Sequence, residues 1–460
     1  MKKYILYTIT LSMLLFSSCI SNSKKADRFR IENRFDDAAE LYQKAADEGE
    51  SYAKWRLSIA YGNGEGVDYD EEKALELLIE ASNEGCEEAT CDLACAYIFG
   101  SYNIDKDLER GKSILENLIK NTDNAYVQSI YAGLLFDGED PFDEDKEKAM
   151  ELLNSIKDKK NPFYLNCMGR IYLYGTSKID IDVNKAIDLY TQSFNRGLKR
   201  SSYTLAVIYG YGYGNLKKNI TKQMEWLKRG IESNDTKCMV EMAELCISED
   251  STYQDIHNPE RAIELFKKAA KRGNGEANNQ LGWLYYEGKD VEKDDEKSFT
   301  YYKEATKLKS EDGAFHLGFA YIDGVGCEKD LKKGIETWKL AVVYGSGSAA
   351  NNLFCYYNNG AFGGKKDAID KKKAKEYLLR AAELNSAKGC FNLGKEYFSG
   401  NNLMEKNDSQ AFIYIKKAAD AGVVDACTWI AYFYENGIGC DKDPNKAKKY
   451  KDMTTAKEVN

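Results

Sequence analysis

One phrase returns along most of this chain: KAADEG at 44–49, EASNEG at 80–85, RAAELN at 380–385, with KKAAKRG at 267–273 and KKAADAG at 416–422 as longer versions. Aligning their last residues, and the weaker copies between, places anchors at 49, 85, about 122, about 160, 197, 234, 273, 309, 345, 385 and 422. The intervals run from 36 to 40 residues. A chain of 460 residues would ordinarily divide into a few globular domains. Self-similarity at this period points instead to stacked units that shelter one another's apolar faces.

Four residues after an anchor stands a small residue: Ala53, Ala89, Ser201, Ala277, Gly313, Ala349, Gly389, Ala426. Four further on comes an apolar residue followed by a small one, as in Leu57-Ser58, Leu205-Ala206, Leu281-Gly282, Leu317-Gly318 and Leu393-Gly394, and then a tyrosine such as Tyr61, Tyr285, Tyr321 or Tyr434. Ala53, Leu57 and Tyr61 lie at i, i+4, i+8, one face of a helix, and the small residues let a second helix approach. YGNGEGV (61–67), YIDGVGC (321–327) and YENGIGC (434–440) end that helix, since glycine accepts the left-handed cap. A second amphipathic run follows, as in DYDEEKALELLIEAS (68–82), with Asp70 as the expected N-cap and Gly49, Gly85, Gly273 and Gly422 as closing residues.

The unit, helix A, glycine-rich turn, helix B, short return, resembles the Sel1-like repeat, a longer relative of the tetratricopeptide repeat. The resemblance covers about residues 35–450 and implies an all-α fold, a right-handed α-solenoid of about eleven antiparallel helix pairs. Copies at 101–160 and 219–256 depart most; they lose the glycine anchor, their turns lack GxG, and the first carries the charged insertion GEDPFDEDKE at 138–147. Residues 26–48 read as an incomplete first unit and 441–453 as a lysine-rich closing helix, both ends needing polar caps. The expected organisation is a signal peptide at 1–18, a tether at 19–25, the solenoid at 26–453 and a tail at 454–460.

Lys2 and Lys3 precede the mostly apolar YILYTITLSMLLF (4–16). Thirteen helical residues reach about 20 Å, short of a ~30 Å hydrocarbon core, so this reads as a secretory signal. Its end, LFSSC (15–19), resembles a bacterial lipobox, with Phe16 looser than usual. The resemblance implies cleavage before Cys19, lipidation of that thiol, and a protein anchored in the bacterial cell envelope on a periplasmic or surface face. Removal of residues 1–18 leaves 63 basic against 74 acidic residues, a net −11. That balance argues against general nucleic-acid binding and favours a partner with basic patches.

No catalytic constellation stands out. The two histidines, His257 in the loop IHNPE and His316 in AFHLGFAY, lack the partners of a nucleophilic triad. Ser51-Tyr-Ala-Lys54 matches SxxK, but no KTG or SDN completes a β-lactamase site. Cys86, Cys91 and Cys95 are neither spaced as CxxC nor near a histidine, which argues against zinc. Beyond Cys19 eleven cysteines remain, and they lack the regular positions of the cysteine-rich Sel1-like relatives, so most read as small apolar filler. Asp180, Asp182 and Asn184 suggest a calcium loop only until Lys185, which stands where the EF-hand needs glycine; a capping run is expected. No cofactor or metal is expected.

The most informative feature is a register position. The residue before the LG-like pair of helix A is Thr204, Glu241, Gln280, His316, Asn352, Asn392 and then Trp429. In related tetratricopeptide solenoids helix A lines the concave face, and some use an asparagine ladder there to hold peptide backbone. The expected function is therefore a non-enzymatic interaction scaffold, binding a protein or extended peptide through this column. Two alternatives stay open: a β-lactam- or cell-wall-acting protein like the cysteine-rich relatives, and a glycan-binding surface protein using some of the 33 tyrosines.

Overall fold

The computed structural model of the protein describes residues 21–364, 366–400 and 403–458. The expected leader and Cys19 lie outside them. Among the described residues the regular structure is helical, apart from one isolated bridge between Tyr213 and Leu216. The chain divides into two compact units, the first running to Gly273 and the second beginning at Asn274.

Both units are rows of A/B hairpins. The first holds seven, from Asn22–Ile31 with Phe35–Asp47 to Thr236–Ile247 with Pro259–Ala270. The second holds five, from Gly275–Glu287 with Asp295–Lys307 to Val424–Asn436 with Pro444–Glu458. The opening unit, read from sequence as incomplete, is thus a hairpin with a short A helix, making twelve pairs among the described residues. Its first helix takes in residues 22–25 of the expected tether, and the last helix takes in 454–458 of the expected tail.

The anchors are a backbone conformation. Gly49, Gly85, Gly197, Gly273, Gly345 and Gly422 all have positive φ, and where glycine is missing Asn234, Lys309 and Asn385 keep it, at 59°, 56° and 57°. Asparagine tolerates this region locally. The anchors near 122 and 160 abandon it. There the next helix starts from the side chains of Asn124 and Asn161, which accept from Tyr126 N–H and Phe163 N–H, 2.9 Å each.

Every hairpin after the first is closed by one Asp or Asn. Its side chain caps helix B, as Asp70 accepts from the Lys73 N–H at 2.9 Å. Its own N–H donates back to a carbonyl near the end of helix A. The pairs include Asp70 to Tyr61 at 3.1 Å, Asp182 to Tyr172 at 2.8 Å, Asn258 to Cys246 at 2.8 Å, Asp330 to Tyr321 at 2.7 Å and Asp443 to Tyr434 at 2.9 Å. An N-cap contributes about 1 kcal/mol, and here it also fixes the loop.

The small residues have identified partners. At Gly282 a Cβ would come within 2.7 Å of the Tyr302 ring, and at Gly394 within 2.7 Å of Ile415 Cγ1; in each case the bulky residue belongs to the B helix of the same hairpin. The second glycine of the GxG turns serves the junction between hairpins. A Cβ on Gly66 would run into the Phe35 carbonyl, and on Gly326 and Gly439 into those of Asp295 and Asp408. Each of these carbonyls opens the preceding B helix.

Candidate functional site

All seven column residues are half-buried, which is what a lined but accessible wall requires. In the second unit two of them, His316 and Asn392, are tied to the preceding hairpin. His316 Nδ1 lies 2.8 Å from Asn279 Oδ1, the geometry of an N–H donating to the amide oxygen. Burial pushes the His316 pKa down, with Asp312 opposing, so the ring is neutral at pH 7. The Asn392 Nδ2–H donates to Asn351 Oδ1 at 2.8 Å. Asn279 and Asn351 each stand one residue before the column in the preceding hairpin, and the sequence reading missed them; NN and NNQ pairs at that register were the available signal. Gln280 Nε2–H donates to Glu276 Oε1 within its own helix at 2.8 Å. Asn352 Nδ2 is buried with no hydrogen-bond partner among the described residues. Trp429 packs into an aromatic cluster, its ring 5.6 Å from that of Phe398 and 6.1 Å from Phe391. Thr204 and Glu241 belong to the first unit, where burial pushes the Glu241 carboxyl up.

Carried back to earlier hairpins, the same register gives Arg56 before Leu57-Ser58 and Asp92 before Leu93-Ala94. Both line a cavity of about 470 Å³ inside the first unit. Asp92 accepts from Trp55 Nε1–H at 2.7 Å and from the Tyr126 hydroxyl. Burial pushes its carboxyl up against those two bonds. Arg56 pairs with Asp27 at 3.1 Å and donates to the Tyr52 hydroxyl at 2.9 Å.

The cavity exists because the first unit returns on itself. Arg30 pairs with Glu65 at 3.1 Å and donates to the Gly197 carbonyl at 3.3 Å. Lys199 Nζ–H donates to the Ile31 carbonyl at 2.9 Å. Gly273 has no room for a side chain because the Tyr69 ring lies there. These contacts join the first two hairpins to the turns near 197 and 272.

The other sequence candidates resolve into structural roles. Lys54, the partner of Ser51 in SxxK, is held by Glu84 at 2.5 Å and Glu80 at 3.2 Å. Its pKa is raised, first by the bond to Glu84, the opposite of what a general base needs. His257 ends a short 3-10 turn, its N–H donating to the Gln254 carbonyl. Asp182 caps the helix Val183–Asn195 by accepting from Lys185 N–H at 3.0 Å. The eleven described cysteines are free thiols. Burial pushes Cys86 up to about 12 and Cys167 to about 11. Among the described residues no group of three or more His, Cys, Asp or Glu could hold a metal ion, and no helix is long and apolar enough to cross a membrane.

The model of the Sel1 repeat matches residues 35–50, 51–86, 87–116, 168–198, 200–235, 237–274, 275–310, 312–341, 347–386, 387–423 and 424–450. Chitin synthase regulatory factor 3 of Schizosaccharomyces pombe is 27% identical over 198 residues, covering 41% of this chain and 21% of that protein. Cytochrome c oxidase assembly factor 7 of Xenopus tropicalis is 32% identical over 85 residues, 18% of this chain and 37% of that one. The chain thus spans about a fifth of the length of the regulatory factor. Among solved structures, c5321, a protective antigen of uropathogenic Escherichia coli, aligns over 92% of this chain and 88% of its own, at 22% identity and a TM-score of 0.42. A Sel1 repeat protein from Oxalobacter formigenes aligns over 67% and 86%, at 22% identity and a TM-score of 0.43. Eleven matched segments, falling on the hairpins already described and covering most of the residues, place this chain in the Sel1 repeat family.

Proposed function

We propose that the chain is a non-enzymatic scaffold of the bacterial cell envelope, anchored through lipidated Cys19, that holds a protein partner as an extended segment along its A helices. The observation that carries this reading is the ladder His316–Asn279 and Asn392–Asn351, which fixes two of the half-buried column side chains against the preceding hairpin. Amides held in fixed orientation at one register can meet the N–H and C=O groups of an extended peptide at low entropic cost. A regulatory factor and an assembly factor among the relatives suit a chain that acts by engaging other proteins. The acidic surface, net −9 for the full chain, favours a partner with basic patches and no nucleic acid. The β-lactam-acting alternative loses its support at Lys54, which the two glutamates keep charged.

Two experiments test this. A pull-down from envelope extracts with the body (residues 20–460) identifies the partner, and Gln280→Ala with Asn352→Ala should weaken its capture without changing helical content; undiminished capture would remove the column. Metabolic labelling with palmitate should mark the wild-type chain and not Cys19→Ser, and equal labelling of both would remove the anchor.

A further inference from the structure

We propose that the closed first unit is a second binding site, for an acidic peptide, one carboxylate of which sits among Arg196, Lys199, Arg200 and Arg272. The inference rests on the scaffold reading and deepens it by naming the chemistry of one partner segment. The cavity wall carries seven basic residues against four acidic ones, in a chain whose net charge is −9. Two of the acids are taken: Glu65 by Arg30 and Asp27 by Arg56. Asp92 is satisfied by Trp55 and Tyr126, and Asp235 caps the helix Thr236–Ile247 through the Cys238 N–H. Arg196, Lys199, Arg200, Lys237 and Arg272 are left without a carboxylate partner within ion-pair distance among the described residues.

This excess costs the fold something. Burial, with Arg30 and Arg229 nearby, pushes Lys199 down to about 8, Glu65 opposing. Burial also lowers Arg272, whose Nε is buried with no hydrogen-bond partner. Lys199 and Arg272, the two of these cations that are partly withdrawn from water, are stabilised when an anion arrives, and a concave wall concentrates that attraction. The volume, about 470 Å³, lies in the range that takes a small ligand or a few side chains. An aromatic run lines it, Trp55 to Tyr126 at 5.3 Å and Tyr126 to Phe163 at 4.5 Å, with Arg200 over Phe163 at 5.6 Å. The ligand is a peptide and not a polyphosphate because the wall also carries the aromatic rings of Trp55, Tyr126 and Phe163, apolar surface that side chains of a peptide can cover and a polyphosphate cannot.

The test is fluorescence anisotropy of the full chain with fluorescein-labelled decapeptides of acidic (Glu/Tyr), basic (Lys/Tyr) and neutral (Ser/Tyr) composition, with tripolyphosphate as competitor. Acidic peptides should bind best and lose affinity as salt rises. Arg200→Gln with Lys237→Gln, both at exposed positions that take no part in closing the turn, should weaken that binding roughly tenfold. Asn352→Ala should leave it unchanged. Acidic-peptide binding indifferent to the double variant, or displaced by tripolyphosphate at low concentration, overturns the proposal. Binding of basic or neutral peptides alone, abolished by Asn352→Ala, overturns it while keeping the scaffold reading. Binding of no peptide in any class removes both.

Discussion

The two units are built from one kind of hairpin and held in different ways. In the second unit a tyrosine near the end of helix A stacks on a tyrosine of its own B helix: Tyr285 on Tyr301, Tyr357 on Tyr377, Tyr397 on Tyr414 and Tyr434 on Tyr450, with centroids 5.7, 5.6, 6.0 and 6.0 Å apart. All the stacked tyrosine pairs among the described residues fall there. The first unit has weaker repeats, and its distinguishing contacts span the sequence: Arg30 reaches Gly197 and Lys199 reaches Ile31, 167 and 168 residues apart. Repetition gives the second unit many equivalent neighbour contacts. The first depends on a few polar ties that bring distant hairpins together and create an interior. A solenoid can therefore gain a cavity without new elements, by curling until its turns meet.

The sharpest way to break this comparison is Trp338→Ala. Trp338 is fully buried, stacked edge-on against Phe319 at 4.9 Å and Phe362 at 4.9 Å, and its loss should cost about 3–5 kcal/mol. Because neighbour contacts dominate, hydrogen exchange should rise across 275–458 and stay unchanged in 22–195; a uniform rise would show that the units unfold as one. Next comes Gly326→Ala, which meets the Asp295 carbonyl at φ 64° and should cost more than about 2 kcal/mol. Gly85→Ala, at φ 88° with open space around it, should cost only about 1 kcal/mol by thermal melting. Arg30→Ala should destabilise the first unit alone by about 1–2 kcal/mol, seen as faster exchange at the amides of 197–199.

The smallest effect concerns acid. The N–H groups of Lys333, Lys373 and Lys446 hold Asp330, Asp370 and Asp443 below the usual carboxylate range. A depressed folded pKa means stability that is present above the unfolded value near 3.9 and is lost as pH falls through the folded one. Melting of the second unit should drop below about pH 4, and Asp330→Asn, which keeps the cap, should flatten part of that slope.

Much of the fold was legible because it repeats. Anchors, glycine turns and Asp70-type caps each recur, and recurrence turns weak local preferences into a register. The function of Gly66, Gly326 and Gly439 at the junctions was not, since a steric clash with the Phe35, Asp295 or Asp408 carbonyl is a distance across hairpins and leaves no mark beyond the glycine itself. The opening hairpin was only partly legible: the helix Asn22–Ile31 has few apolar residues and holds to Tyr42 and Tyr52 through Asp27. At the site, the column was visible from Thr204 onward but not at Arg56 and Asp92, where charged residues replace amides. The cavity was invisible, because nothing local in Arg30 or Lys199 announces a contact more than 160 residues away.

The Asp or Asn that both caps helix B and clips it to helix A has a temporal consequence. Each hairpin can zip shut within its own forty or so residues as the chain lengthens, since closure over short separations is fast. The seal between Arg30 and Gly197 must wait until five hairpins stand. A truncation ending near residue 160 should thus be well folded and helical, yet open like a ring not yet soldered.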